Sequence, residues 1–483
     1  MRTKIIASIG PSSKDPEMFS QMIDAGLVVA RFNFSHGRKN LFKKWAEEIR
    51  KKAGEKEKSV ALLCDLQGPK IRLGRLPGRA DFLNLKEGEE VFLTTREEVQ
   101  PGELCIRYKN FLQDVKEKQK VLINDGKIEL IVKENRSDGF SAIVSVPGKI
   151  APFQGVNLPQ TDVTLPLLRK KDIRDLRFAL KIKVDAIGLS FVRTAADIRK
   201  IKELILEYRE ETDLKEMPWI VAKIERREAV ENVDEIIKEA DVVMVARGDL
   251  GIEMPETEVP LLQKQIIEKC IIEGKPVITA TQMLDSMQEN PRPTRAEVSD
   301  VANAIIDGSD AVMLSGETTT GKYPLEAVTE MKKIIEETEE GLYEHKDIHR
   351  YSFHHKKYEG REIGITDAVG ESSCEMAAHL GARYIVCATG SGHTARMIAK
   401  CRSEVPILAL TPSRRTYKLL NFVWGVEPHL LPGYHTTDEL LTRSIDLLKQ
   451  KGLVKSGNKL VITAGHPVGE VGNTNLIKVE EVT

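Results

Sequence analysis

The feature that most constrains the fold of this chain is a set of eight short apolar segments that alternate with helical stretches. These segments are rich in β-branched residues and cover 4–10, 28–34, 59–66, 186–192, 219–225, 241–247, 276–281 and 311–317. Near-continuous apolar strands are typical of a parallel sheet that is covered on both faces. Amphipathic helical patterns lie between most of them. Eight strands that alternate with helices predict an α/β fold of the (β/α)8 type, a TIM barrel.

One interval interrupts the alternation of strands and helices. Residues 69–165 alternate polar and apolar positions with period two, and the turn sequences NDG and RSDG separate the runs. We therefore predict an antiparallel β-barrel lid domain, inserted after the third barrel strand and placed over the active end of the barrel. The barrel domain itself takes residues 1–68 and 166–340.

A polar, histidine-rich stretch follows the barrel, and a new strand and helix pattern begins near residue 362. The apolar runs ARYIVCAT, VPILALT and KLVITAG alternate there with helical segments. We predict a C-terminal α/β domain within residues 341–483. Three domains are reasonable for a chain of 483 residues, which is too long for one core.

Charge and cysteine content narrow the possible functions. Lys plus Arg number 72 and Asp plus Glu 73, so the net charge of -1 gives no support to a nucleic-acid partner. The six cysteines lack paired spacing, which is typical of free thiols in a reducing compartment. No apolar stretch approaches the ~20 residues that span a bilayer. We expect a cytoplasmic protein with no membrane partner.

Polar residues follow the predicted barrel strands at their carboxyl ends, where barrel enzymes keep their active sites. Residues i and i+2 of a strand share a face, so several of these side chains point the same way. The residues are Arg31, Asn33, Ser35, Asp65, Lys223, Glu225, Arg247, Asp249, Thr281, Ser315 and Glu317. Any one pair is explained by a structural ion pair, but polar ends on six of eight strands favour an active site.

Two of these side chains, Glu225 and Asp249, are carboxylates on neighbouring strands. Magnesium is typically bound by one or two carboxylates together with substrate oxygens and waters. Lys223 and Arg31 add positive charge beside such a metal. This combination suits an anionic phosphorylated substrate, because phosphoryl transfer needs mainly positioning and charge stabilisation.

Longer motifs carry a resemblance to a known family. ARFNFSHG, DLQGPKIR, GVNLP, AKIE, MVARGDLGIE, ATQMLDSM and PRPTRAEVSDVAN occur in this order, within a similarity that runs from residue 3 to about 480. Together these motifs resemble the pyruvate kinases. The resemblance implies phosphoryl transfer from phosphoenolpyruvate to ADP, giving pyruvate and ATP, with Mg²⁺ or Mn²⁺ as the cofactor. It also implies a homotetramer whose C-terminal domain is regulatory.

The same resemblance implies roles for the residues at the strand ends. Glu225 and Asp249 hold the metal, Lys223 stabilises the phosphoryl group in transfer, and Arg31 binds the substrate phosphate. Thr281 contacts the substrate carboxylate. The remaining carboxylate contacts are backbone N–H groups, those of Arg247, Gly248 and Asp249.

Protonation and nucleotide binding complete the implied site. Thr281 and Ser315 lie near the water that protonates the enolate. The implied nucleotide contacts are Arg72, Asn33 and His36. Many family members have a lysine just before GVNLP, where this chain has Gln154. Nucleotide binding therefore depends more on Arg72 and Lys70, or on another lysine.

Lys70 stands where much of the family has a glutamate. Members with that glutamate need potassium, which is held by residues that match Asn33, Ser35 and Asp65. An ammonium group has the charge of potassium and can donate hydrogen bonds to Asp65. We predict that Lys70 replaces the monovalent cation and that potassium is not required.

The glycine-rich sequence TGSGHT at 389–394 precedes a predicted helix, whose N-terminus suits a phosphate group. We predict a phosphorylated effector that contacts Thr389, Ser391, Gly392 and Thr394. The last loop contains no arginine. A sugar monophosphate or AMP is therefore favoured over a doubly phosphorylated sugar.

Two other functions stay open. The first is another Mg-dependent barrel enzyme that acts on pyruvate or phosphoenolpyruvate, such as an aldolase or a lyase. That enzyme would need no lid and no nucleotide contact such as Arg72. The second is a catalytically inactive metabolite sensor, which would tolerate loss of Lys223 or Glu225, and both residues are present.

Overall fold

The computed structural model describes residues 1–35, 37–344, 363–431, 433–467 and 473–483. The chain opens with three parallel strands, β1 (Lys4–Ser8), β2 (Leu27–Asn33) and β3 (Ala61–Asp65). Helices α1 (Pro16–Asp24) and α2 (Lys39–Glu55) connect them. The α1 helix begins where it does because the Asp15 side chain accepts a hydrogen bond from the Glu17 N–H.

An inserted β domain follows β3. Its strands are β4 (Ile71–Arg72), β5 (Leu83–Leu85), β6 (Glu90–Thr94), β7 (Glu103–Cys105), β8 (Lys120–Ile123), β9 (Ile128–Arg136), β10 (Gly139–Val146), β11 (Gly148–Ile150) and β12 (Gly155–Asn157). One helical turn, α3 (Phe111–Asp114), lies between β7 and β8. Alternate apolar side chains such as Val121, Leu130 and Val132 give this domain a core of its own.

The sheet of the inserted domain differs in detail from the prediction. Seven strands form one sheet in the order β4-β12-β8-β9-β10-β6-β7, and β5 pairs with β11. Every pairing is antiparallel except that of β6 with β7, which is parallel. The predicted inserted β domain is confirmed, as a mixed, half-open barrel. Period-two patterning reports which face of a strand is buried, but it does not report strand direction.

The chain then returns to the barrel. Its remaining strands are β13 (Ala186–Leu189), β14 (Trp219–Ile224), β15 (Val242–Ala246), β16 (Val277–Ala280) and β17 (Ala311–Leu314). The helices are α4 (Lys170–Lys181), α5 (Ala195–Glu207), α6 (Arg227–Glu231), α7 (Val233–Glu239), α8 (Arg247–Glu253), α9 (Val259–Ile272), α10 (Arg295–Ile306), α11 (Gly316–Thr319) and α12 (Pro324–Glu344). The eight parallel strands close in the order β1-β17-β16-β15-β14-β13-β3-β2, which confirms the TIM barrel.

The C-terminal domain is a five-stranded sheet with helices against it. Its strands are β18 (Tyr384–Ala388), β19 (Ile407–Thr411), β20 (Val426–Leu430), β21 (Lys459–Ala464) and β22 (Leu476–Glu481), in the order β20-β19-β18-β21-β22. Its helices are α13 (Ile365–Leu380), α14 (His393–Ala399), α15 (Arg414–Leu419) and α16 (Thr437–Gln450). The predicted α/β domain is confirmed, with β22 antiparallel to β21. The residue boundaries of the three domains stay predictions.

The C-terminal domain closes the amino end of the barrel. Barrel-interior residues such as Ile6 and Val29 share one apolar core with Phe422 of the C-terminal domain. At the same contact Arg402 donates to the Gly308 carbonyl at 2.6 Å and pairs with the buried Asp310 carboxylate at 3.2 Å. The carboxyl end of the barrel is therefore the end left open for a site. Within the described ranges no helix has the length and apolarity needed to cross a membrane.

Candidate active site

A cavity of about 180 Å³ opens at the carboxyl end of the barrel, beneath the inserted domain. Nine of the predicted site residues line it: Arg31, Asn33, Ser35, Asp65, Lys70, Arg72, Lys223, Glu225 and Asp249. They come from β2, β3, β14, the start of α8 and the first part of the inserted domain. Seven of the nine, all except Lys70 and Arg72, were predicted from the strand-end pattern, so that pattern identified residues that the fold brings to one place.

Asp65 lies at the centre of the charges in this cavity and is 2% exposed. Its Oδ2 accepts a hydrogen bond from Arg31 Nε at 2.9 Å and lies 3.4 Å from Lys223 Nζ. Burial alone would raise the pKa of Asp65, but the charges of Lys223 and Arg31 outweigh burial and lower it. Asp65 is therefore an anion that holds two cations in place.

Lys223 is held by three groups. Its Nζ lies 2.6 Å from Glu225 Oε1 and donates to Ser190 Oγ at 2.8 Å, in addition to its ion pair with Asp65. Burial would lower the pKa of Lys223, but the carboxylates of Asp65, Glu225 and Asp249 raise it. The side chain is therefore a fixed ammonium, able to stabilise developing negative charge without reorganisation.

Glu225 and Asp249 fit a divalent metal. Glu225 is 1% exposed, and its Oε2 accepts a hydrogen bond from the Phe191 N–H at 2.9 Å. Burial raises the pKa of Glu225, Lys223 opposes this, and repulsion from Asp249 adds to it. Two carboxylates that repel each other beside an open cavity gain from a cation between them. In the described part of the chain no group of three or more His, Cys, Asp or Glu could hold a metal.

The first turn of α8 is fixed by the strand beside it. The Gly248 N–H donates to Thr281 Oγ1 at 2.8 Å, and Thr281 takes a left-handed backbone with φ of 68°. The Arg247 side chain pairs with Asp300 at 2.7 Å and donates to the Thr281 carbonyl at 2.8 Å. The side chain of Arg247 therefore holds the turn in place.

Ser315 is placed less directly than the other predicted residues. Its N–H donates to Glu317 Oε2 at 2.7 Å, and its Oγ is buried without a hydrogen-bond partner among the described residues. Neither Ser315 nor Thr281 is among the residues that line the cavity. Thr281 reaches the site through its contact with Gly248, whereas Ser315 has no such link.

Lys70 does not make the contact that the sequence led us to expect. Its Nζ pairs with Asp125 Oδ1 of the inserted domain at 3.2 Å, while the acceptors on Asp65 are taken by Arg31, Lys223 and Ser190. Lys70 nevertheless lines the same cavity as Asp65. The stem of Lys70 lies over Gly155, where an added Cβ would come within 2.7 Å of Lys70 Cε.

The other predicted contacts have mixed support. Arg72 lines the cavity and donates to the Phe153 carbonyl at 2.9 Å. The Asn33 side chain accepts from the Ser35 N–H at 3.0 Å. His36 lies outside the described residues.

The predicted effector loop is held together by its own side chains. Thr389 Oγ1 accepts from the Gly392 N–H at 2.9 Å, and the Thr394 and Thr474 hydroxyls are 2.7 Å apart. Ser391 accepts from the His393 N–H at 3.4 Å. Residues 468–472 of the last loop, which the prediction also used, lie outside the described part of the chain.

Sequence reasoning missed three residues that support the site. Ser190 accepts from Lys223, Ser8 Oγ accepts from Arg31 Nη1 at 2.7 Å, and the Phe191 backbone holds Glu225. Ser8 and Ser190 stand at the carboxyl ends of KIIAS and IGLS, so the strand-end pattern contained both. Phe191 acts through its backbone, at φ of 59°, and a sequence pattern gives no sign of that.

These observations define a class of protein. A closed parallel barrel presents buried lysine, arginine and paired carboxylates at its carboxyl end, beneath an inserted domain, as an enzyme for an anionic substrate requires. Residues 1–328 match the family model described as pyruvate kinase, barrel domain, and 367–480 match pyruvate kinase, alpha/beta domain. The chain belongs to the pyruvate kinase family, and the predicted phosphotransferase class is confirmed.

Individual relatives agree with the family model. The chain is 44% identical over 485 residues to a pyruvate kinase of Geobacillus stearothermophilus, covering 100% of this chain and 80% of that protein. It is 42% identical over 484 residues to one of Staphylococcus epidermidis, with the same coverage. A crystal structure of a pyruvate kinase from Cryptosporidium parvum superposes with a TM-score of 0.90, at 36% identity, over 100% of this chain and 96% of that one.

Proposed function

We propose that this chain transfers the phosphoryl group of phosphoenolpyruvate to ADP, using Mg²⁺ or Mn²⁺ bound by Glu225 and Asp249. The observation that carries the proposal is the fixed Lys223 ammonium, 2.6 Å from Glu225 and 3.4 Å from Asp65 in a cavity that Arg31 and Arg72 also line. A cation held in this way stabilises charge that develops in transfer. The family relationship supports the choice of substrates.

Each step can be assigned to residues of this chain. Arg31, fixed by Asp65 and Ser8, binds the phosphate of phosphoenolpyruvate, and Lys223 stabilises the phosphoryl group as it leaves the enol oxygen. A bound Mg²⁺ supplies positive charge to the phosphate oxygens. The N–H groups of Arg247 and Asp249 in the first turn of α8 bind the substrate carboxylate, and the carboxylate must replace Thr281 Oγ1 as the acceptor of the Gly248 N–H.

Proton delivery and nucleotide binding complete the mechanism. Thr281 holds that first turn. We assign Thr281 and Ser315 to the water that protonates the enolate. We assign the ADP phosphates to Arg72, with Asn33 and His36 as further contacts. Ser190 is a positioning residue, because it accepts a hydrogen bond from Lys223.

We also propose a homotetramer in the cytoplasm. Cys64, Cys105, Cys270 and Cys387 are free thiols, as is usual in a reducing compartment. The tetramer is proposed from the family relationship.

A coupled assay tests the reaction. Phosphoenolpyruvate, ADP and Mg²⁺ should give pyruvate and ATP in equal amounts, and a chelator should abolish the activity. Pyruvate formation without ADP would contradict the proposal and would favour a lyase. No turnover with any nucleoside diphosphate would favour a metabolite sensor.

We propose that the reaction needs no potassium, because Lys70 supplies the monovalent charge. Lys70 supports this role by lining the cavity with Asn33, Ser35 and Asp65, the residues that match the potassium ligands of other members. Its ion pair with Asp125 leaves it beside these residues and not in contact with Asp65. Lys70 therefore acts on the site by electrostatic attraction without direct contact. At close range in a partly buried cavity this attraction is still strong.

An allosteric effector is expected at the loop before α14. We propose that a sugar monophosphate or AMP binds there through Thr389, Ser391, Gly392 and Thr394. Because Thr389 and Ser391 now accept hydrogen bonds from Gly392 and His393, a phosphate group must replace them as acceptor. Addition of the effector should lower the KM for phosphoenolpyruvate severalfold.

Kinetics with a panel of sugar monophosphates, a bisphosphate and AMP measure this effect. Thr394→Val should abolish the response while leaving the activity without effector unchanged, because Thr394 is remote from the barrel site. No change in the KM with any compound of the panel would remove the proposal.

A further inference from the structure

A second buried cluster lies where the inserted domain joins the barrel. It consists of Arg226, Glu253 and Asn157, which are 6%, 7% and 8% exposed. Arg226 directly follows Glu225 at the end of β14, and Glu253 is the last residue of α8. Asn157 is the last residue of β12, the strand by which the chain leaves the inserted domain. The cluster therefore connects three elements: β14, which leads to Glu225; α8, which carries Asp249; and β12, by which the chain leaves the inserted domain.

Glu253 is the centre of this cluster. Its Oε2 lies 4.0 Å from Arg226 Nε, and Arg226 and Asn157 oppose the rise in the pKa of Glu253 that burial causes. Arg226 also pairs with Glu228, at 3.2 Å. Two buried atoms of the cluster, Arg226 Nε and Asn157 Oδ1, have no hydrogen-bond partner in the described part of the chain. The hydrogen-bonding capacity of the cluster is therefore only partly used in this position of the inserted domain.

A small cavity of about 30 Å³ adjoins the cluster and gives it room to adjust. Its walls include Arg226, Glu253 and Asn157 together with Lys70 and Phe191. Phe191 holds Glu225, and Lys70 belongs to the active-site cavity. The two cavities therefore share Lys70 and Phe191 as walls.

The β12 strand connects the cluster to the nucleotide contact. Gly155 of β12 pairs with Arg72 of β4, and the stem of Lys70 lies over Gly155. A shift of Asn157 along the strand direction therefore moves Arg72 and Lys70 together. Arg31 and Lys223 lie on barrel strands and do not depend on that pairing.

We propose that Arg226, Glu253 and Asn157 are positioning residues that fix the inserted domain relative to α8 and so set the affinity for ADP. The proposal rests on the proposed function, since it assigns Arg72 to the nucleotide. It makes the carboxylate of Glu253 the common support of two elements that bind different substrates. Loss of that support should affect the nucleotide more than phosphoenolpyruvate.

Two nearly isosteric variants test the proposal in the full-length enzyme. Asn157→Leu and Glu253→Gln should each raise the KM for ADP about tenfold, because the first removes a polar neighbour of the buried Glu253 carboxylate and the second removes its charge beside Arg226. The KM for phosphoenolpyruvate should change less than about twofold. Arg226→Lys keeps the charge and should fall between these variants and the unmodified enzyme.

A matched control removes a different buried ion pair. Asp310→Asn disrupts the contact with Arg402 at the opposite end of the barrel, where Asp310 is 4% exposed. It should lower stability and leave the KM for ADP unchanged. A rise in the KM for ADP in this control would show that a general loss of stability is enough, and it would overturn the proposal.

Hydrogen exchange gives a second measurement that does not depend on activity. Residues 69–73 and 154–158 should exchange faster in Asn157→Leu and in Glu253→Gln than in the unmodified protein. Unchanged exchange in folded variants would overturn the proposal even if the enzyme proved to have another substrate. Equal changes in both KM values would also overturn it. Failure of the unmodified enzyme to form pyruvate would instead count against the proposed function.

Discussion

Replacing Lys223 with methionine is expected to lower turnover about 10²–10³-fold while affinity for phosphoenolpyruvate stays within about threefold. The ammonium is held by Asp65, Glu225 and Ser190, so under the proposed mechanism it needs no reorganisation to stabilise the charge of the leaving phosphoryl group. Arg31, to which we assign the phosphate in the ground state, should keep its own contact with Asp65 in the variant. A group of this kind contributes to the transition state more than to substrate binding.

The measurement combines kcat from the coupled assay with a direct binding titration of phosphoenolpyruvate. Lys202→Met is a suitable control, because Lys202 also pairs with a carboxylate, Glu239 at 2.9 Å, but on the outer helices of the barrel. Its turnover should equal that of the unmodified enzyme. Turnover near normal in Lys223→Met would show that the role of Lys223 is wrongly assigned.

Full activity is expected in sodium or tetramethylammonium buffers that contain magnesium and no potassium. Lys70→Glu should lower that activity about a hundredfold, because the change replaces a nearby positive charge with a negative one beside Asp65. Potassium should then restore much of it, since Asn33, Ser35 and Asp65 remain on the cavity wall as ligands. The measurement is kcat for both proteins as a function of potassium concentration at constant ionic strength.

The variant Asp125→Asn distinguishes the effect of the Lys70 charge from the effect of its ion pair with Asp125. It removes the carboxylate partner of Lys70 but keeps the ammonium, so the enzyme should stay independent of potassium. If Asp125→Asn also created a potassium requirement, the effect would belong to the ion pair between Lys70 and Asp125 within the inserted domain. Strong activation of the unmodified enzyme by potassium would contradict the assignment of Lys70 altogether.

The sequence predicted the barrel well for a physical reason. Strands that are covered on both faces must be apolar almost throughout, so the few polar residues that interrupt them are conspicuous. Arg31, Asp65, Lys223, Glu225 and Asp249 were found in this way, and the structure gathers them in one cavity.

The sequence could not predict which ion-pair and hydrogen-bond partners these side chains choose. Lys70 follows Asp65 closely in the chain, yet its ion pair is with Asp125, fifty-five residues away, because β4 has already entered the inserted domain. The sequence indicates only that Glu317 follows a strand end. In the structure its carboxylate accepts hydrogen bonds from the N–H groups of Ser315 and Leu284. Such contacts depend on loop paths that periodicity does not encode.

The apolar core shared by the barrel and the C-terminal domain, and the separate core of the inserted domain, group the segments differently from their order in the sequence. The interior of the barrel floor is completed by Phe422 and its neighbours, so we expect the barrel and the C-terminal domain to unfold together, although residues 345–362 separate them in sequence. The inserted domain, which interrupts the barrel sequence, carries a core of its own and can melt alone. Calorimetry should therefore resolve a small transition and a large one. A gene shortened to end after α12 would leave Asp310 buried without Arg402 and an apolar floor open to water. The result should be an incomplete barrel prone to aggregation, and not a smaller active enzyme.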